Sequence, residues 1–117
     1  MKGFGDLYKS DKGKNKKTKF SLEEIVNLAI QFHLRGNLQE ASKYYKQVIS
    51  QGCNDYQVFS NYAGILYSNK QLDEAEILLK KAIKINPNFA GAHSNLGNIL
   101  KDLGKLKEAE LSTRKAI

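Results

Sequence analysis

The stretch "AHSNLGNILKDLGKLKEAE", Ala92 to Glu110, decides the fold. It reads as helix almost throughout, yet it holds Gly97 and Gly104, and a glycine inside a helix costs roughly 1 kcal/mol relative to alanine. Its triplet Leu106, Glu108, Ala109 has earlier counterparts in Leu72, Glu74, Ala75 and in Leu38, Glu40, Ala41, each set 34 residues from the next. A period of this length marks an architecture of stacked repeats. Three units follow one another without a gap, 22–55, 56–89 and 90–117, the last stopping at position 28 of its 34.

Each unit carries two apolar stripes at helical spacing. The first stripes are Ile25, Leu28, Ala29, Phe32; Phe59, Tyr62, Ala63, Leu66; and His93, Leu96, Gly97, Leu100. They follow the i, i+3, i+4, i+7 pattern of an amphipathic helix. The second stripes repeat it with Leu38, Ala41, Tyr45, Val48; Leu72, Ala75, Leu79, Ala82; and Leu106, Ala109, Thr113, Ala116. Each unit is therefore a predicted pair of helices, and the fold class is all-α.

Punctuation agrees with the period. Ser21 with Glu24 forms a capping box, and Phe20 with Ile25 a hydrophobic staple, at the predicted start of the first helix. "NPN" at Asn86 to Asn88 ends a helix, because Pro87 has no amide donor and disfavours helical backbone in the residue before it. The two glycines of the opening stretch then separate into two roles. Gly97 stands at position 8, matched by Ala29 and Ala63, where only a small side chain lets two helices approach. Gly104 stands at position 15 with Gly36, between the paired helices, where a left-handed turn suits glycine. Lys70 occupies that place in the second unit and breaks the pattern.

A 34-residue helix–turn–helix period with small residues at positions 8 and 20, an aromatic or leucine at 11, an alanine near 27 and a proline at 32 resembles the tetratricopeptide repeat. The resemblance covers residues 22–117 and is closest in "SNLGNILKDLGKLKEAE". The first unit departs from it, with Cys53 in place of proline and Val48 in place of alanine. The resemblance implies a right-handed α-solenoid of three units, the last incomplete, whose first helices line a concave groove that binds peptides of partner proteins. It implies a binding module with no catalytic residues and no cofactor.

Within that implied groove Asn27, Asn61 and Asn95 all stand at position 6. A side-chain amide both donates and accepts, so a row of them can hold an extended peptide by its main chain. The row resembles the asparagine ladder in the repeat arrays of O-linked N-acetylglucosamine transferases. The other reading of the same column is a polar place on a wet face. Asn98, Tyr67 and Ser60 are further candidates for the groove. Tetratricopeptide domains that bind chaperones clamp a C-terminal carboxylate with lysines and an arginine; here position 2 holds Glu23, Gln57 and Gly91, and the third position 6 is Asn95. A chaperone's acidic tail is therefore not the expected ligand.

Other chemistry is excluded residue by residue. His33 and His93, the only histidines, have no cysteine or carboxylate at ligand spacing, so no metal site is expected, and His93 reads as a packing residue. Cys53 is the single cysteine, which rules out an internal disulfide, and nothing around it in sequence lowers its pKa. Glu40, Glu74 and Glu108 share one repeat position and read as a solvated face, and Glu23 and Glu24 offer no paired acids for catalysis. "KGKNKK" in the tail lacks the glycine and the Ser/Thr of a phosphate loop.

The net charge is +7, of which +5 sits in residues 1–19, leaving a nearly neutral array. That lysine-rich segment has little to bury and is expected to be a solvated, flexible tail. Contact with nucleic acid or an anionic membrane is its weaker reading, and Phe4, Leu7 and Tyr8 in it have the spacing of one docking turn. With no secretory signal and no membrane-length apolar run, the expected location is the cytoplasm. Because Ile117 matches Ile83 in mid-helix and solenoids need polar caps, the chain is expected to continue into a longer protein or to be covered by another chain. Two functions follow: an adaptor that gathers a partner, or the N-terminal substrate-recruiting arm of a glycosyl- or other group-transferase.

Overall fold

The computed structural model describes residues 20–104 and 106–116. The lysine-rich tail, with Phe4, Leu7 and Tyr8, lies outside the described residues. Among those described, six helices follow in order: α1 Leu22–Leu34, α2 Leu38–Ser50, α3 Tyr56–Ser68, α4 Leu72–Ile85, α5 Ala90–Asp102 and α6 Leu106–Ala116. The first helices of the pairs begin at Leu22, Tyr56 and Ala90, 34 residues apart, as the period predicts. No described residue is in a strand.

The ends of the helices show why they stop where they do. Ser21 accepts from the Glu24 amide at 3.1 Å while Glu24 Oε1 accepts from the Ser21 amide at 2.9 Å, so the capping box forms. Phe20 is half-buried against the core that contains Ile25. At the other end of α1 the amides of Gly36 and Asn37 donate back to His33 and Phe32, closing a left-handed turn with Gly36 at φ +81°. Asn37 then caps α2 through its own side chain. The turn after α3 is built identically, with Lys70 and Gln71 donating to Tyr67 and Leu66. Lys70 sits there at φ +62°, so the second unit keeps the turn even without its glycine.

Helices pack within each pair, α1 on α2, α3 on α4 and α5 on α6, and between pairs, α4 on α5 and α2 on α3. Position 8 is closed in all three units: Ala29 and Ala63 have no exposed surface and Gly97 is buried. The largest fully buried side chains, Tyr45, Ile65, Leu79, Ile99 and Leu100, come from four successive helices, α2 to α5, so one apolar seam runs through the stack. The Cα radius of gyration is 16.3 Å, against about 13 Å for a compact domain of this length. The longest axis is 55 Å. No helix among the described residues is long and apolar enough to cross a membrane.

Candidate functional site

The asparagine column falls on the first helices: Asn27 on α1, Asn61 on α3 and Asn95 on α5, at the same place in each. Asn27 and Asn95 are exposed and Asn61 is half-buried. Neither Asn27 nor Asn95 has a side-chain hydrogen bond among the described residues. Asn61 differs in its neighbour: burial pushes up the pKa of the Tyr45 hydroxyl, and the Asn61 side chain acts to lower it. The same hydroxyl lies 3.0 Å from Nδ1 of His33.

Further along these helices Tyr67 and Asn98 are exposed. The Tyr67 hydroxyl donates to Asp102 Oδ2 at 2.8 Å, tying the end of α3 to the end of α5. This bond to a carboxylate raises the tyrosine's pKa. Between Asn61 and Tyr67, Gly64 has no atom within 4 Å of where a side chain would begin, which leaves a notch in the α3 surface. Leu34, 83% exposed at the end of α1, adds one apolar side chain.

Ser60 does not join this surface. It is only 7% exposed and its hydroxyl has no partner and no contact with solvent, so the expectation that it faces the groove is corrected. The reason lies in its place in the stack. Ser94, its counterpart in the third unit, is exposed, and Val26 is half-buried, whereas Ser60 belongs to the middle pair with neighbours on both sides.

The residues set aside in the sequence take structural places. His93 is 3% exposed and its Nε2 lies 2.6 Å from the Pro87 carbonyl, fastening α5 to the turn before it. Among the described residues no group of three or more His, Cys, Asp or Glu side chains could hold a metal ion. Cys53 is half-buried, and burial followed by the nearby Asp55 charge pushes its thiol pKa up. Glu74 is exposed, and Glu40, half-buried, lies 3.9 Å from Lys43. Glu76, which sequence reasoning passed over, is 8% exposed and pairs with Lys80 at 2.8 Å. The i, i+4 spacing of that pair was the signal available for it. A separate apolar cleft of about 500 Å³ lies between α2 and α4, lined by Ile49, Tyr62, Ile77 and Leu78 with Lys46 and Glu74 among its polar residues.

Paired helices repeating every 34 residues and stacked along one axis define a helical-repeat solenoid, with an amide-bearing face as its candidate site. A family model described as TPR repeat matches residues 64–109, so this stretch is tetratricopeptide-repeat sequence and the array carries the tetratricopeptide-repeat fold. Solved structures agree. The second tetratricopeptide domain of Spaghetti (RPAP3), bound to the HSP90 peptide SRMEEVD, is 20% identical with a TM-score of 0.74, over 96% of this chain and 95% of that one. A crystal structure of MamA is 17% identical with a TM-score of 0.80, over 100% of this chain and 74% of that one. A MamA MSR-1 structure is 24% identical with a TM-score of 0.73, over 83% and 56%. At these identities the likeness is one of fold. No curated protein matches the chain.

Proposed function

We propose that this chain is a protein-interaction module, without catalytic activity of its own, that holds an extended segment of a partner protein along the face of α1, α3 and α5. The single observation that carries the reading is an asparagine at one place on three successive first helices, exposed on the outer two. Amides spaced along a rigid scaffold engage a peptide through its main chain, which gives affinity with little demand on the side chains of the ligand. Tyr67 and Asn98 extend the same face, and the notch at Gly64 gives room for a ligand side chain.

A peptide ligand also accords with the solved neighbour bound to an HSP90 peptide. The chemistry differs here. Position 2 of the three first helices holds Glu23, Gln57 and Gly91, none of them basic. The ligand of this face is accordingly a neutral, extended segment rather than an acidic C-terminus.

The test is recovery of partners from lysate by the chain and by its Asn61→Ala/Asn95→Ala double variant, with helix content checked by circular dichroism. Loss of two ordinary hydrogen-bonding groups is expected to weaken binding on the order of tenfold or more. Recovery of the same partners at the same level by a folded double variant would remove the asparagine face from the reading.

A further inference from the structure

The apolar cleft between α2 and α4 shares no residue with the asparagine face. A second cavity, of about 570 Å³, adjoins it at Ile49 and runs past Phe59 to the end of α4. The α4 residues that line the two are Glu74, Ile77, Leu78, Lys81, Lys84 and Ile85. That spacing, i, i+3, i+4, i+7, i+10, i+11, is one stripe of a helix kept up for about 16 Å of its length. Ile77 is 56% exposed and Ile85 39%, so α4 carries an open stripe besides the one it buries in the stack.

The cleft recurs one repeat later, at about 140 Å³, with Ile83, Leu96 and Leu111 in the places of Ile49, Tyr62 and Ile77. Stacking therefore makes the groove, and the side chains along it decide what it takes. Among the described residues the charged groups lining the two joined cavities are Lys46, Lys81 and Lys84 against the single acid Glu74. Lys81 and Lys84 stand together toward the C-terminal end of α4, with Lys81 Nζ 5.9 Å from the centroid of the Phe59 ring. The groove thus runs from an apolar half to a basic half. Its apolar half, walled by Ile49, Tyr62, Ile77 and Leu78, offers a ligand few partners for main-chain hydrogen bonds, and main-chain groups left unpaired in such a place are costly. A helix satisfies its own main chain. An extended strand does not.

We propose that this groove seats an amphipathic helix of a partner protein, its apolar stripe packed on Ile49, Ile77 and Leu78 and its acidic residues over Lys81 and Lys84. Recognition is of the helix-in-groove kind, read by anchors at i, i+3, i+4 and i+7 of the ligand. The site is distinct from the face of the first helices and takes a ligand of different shape and charge.

The test is fluorescence anisotropy of a labelled peptide of roughly 18 residues, long enough to hold a helix in water, with leucine at i, i+3, i+4 and i+7 and glutamate toward one end, titrated with the full chain. Saturable binding is expected. Ile77→Asp, at a largely exposed place and checked for fold by circular dichroism, should weaken it about tenfold or more, as loss of a central apolar anchor does. Lys84→Glu should weaken it about two- to fivefold and favour the same peptide with lysine in place of glutamate. The Asn61→Ala/Asn95→Ala variant should bind like the parent. Absence of saturable binding, indifference to Ile77→Asp, equal binding of a proline-broken version of the peptide, or loss in the asparagine variant would each overturn the proposal. So would a concentration-dependent dimer in sedimentation, or flotation with phosphatidylglycerol vesicles, that Ile77→Asp abolishes, since the groove would then belong to a second copy of the chain or to a membrane.

Discussion

Exchanging the residues at two equivalent turns, Lys70→Gly and Gly36→Lys, should move stability in opposite directions. Both positions close the same left-handed turn after a first helix, at φ +62° and +81°. For an L-residue this conformation costs about 1–2 kcal/mol. Glycine avoids that cost but loses more freedom on folding, an offset of about 0.4–1 kcal/mol. The net expectation is a gain of about 0.5–1 kcal/mol for Lys70→Gly and a loss of similar size for Gly36→Lys. Nothing within 4 Å of Gly36 would meet a new side-chain carbon, so the loss contains no steric part. Both variants are measured by urea unfolding followed by far-ultraviolet circular dichroism, at constant slope against denaturant so that the midpoint reports stability alone. Destabilisation by Lys70→Gly, or movement of both variants in the same direction, would refute the argument that backbone strain governs these turns.

Two further outcomes follow from burial. Leu79→Ala, at a fully buried place in α4, should cost about 2–5 kcal/mol; a loss under about 1 kcal/mol in the same urea assay would contradict the packing described for the middle repeat. Cys53, with its thiol pKa raised by burial and by Asp55, should be alkylated by iodoacetamide more slowly than a free cysteine at pH 8, with the rate still climbing above the ordinary thiol pKa of about 8.5. Complete modification within the time course of free cysteine, read by mass spectrometry, would refute it.

Much of the fold is legible in the sequence because the forces that shape a helical pair are local. The capping box at Ser21, the glycine turns at Gly36 and Gly104 and the small residues at position 8 each depend on neighbours within a turn or on a period that can be counted. Lys70 shows that a strong turn preference can be overridden, since the flanking helices impose the same closing bonds on a residue that does not favour them. The candidate face is legible only as a column of residue types. What surrounds that column depends on contacts between helices: His33 of α1 meets the hydroxyl of Tyr45 on α2, and Tyr67 of α3 donates to Asp102 of α5, with no spacing rule that announces either. Ser60 escapes the pattern for a related reason, because burial at its place depends on whether a unit has neighbours on both sides.

The packing order, each helix chiefly against the one before and the one after it in the chain, bears on how such a face changes. A substitution on α5 perturbs α4 and α6 far more than α1, so the three amide positions can be altered one at a time with little cross-talk. The exception is the middle one, half-buried where the outer two are exposed, which makes it the place where drift in recognition is most strongly resisted.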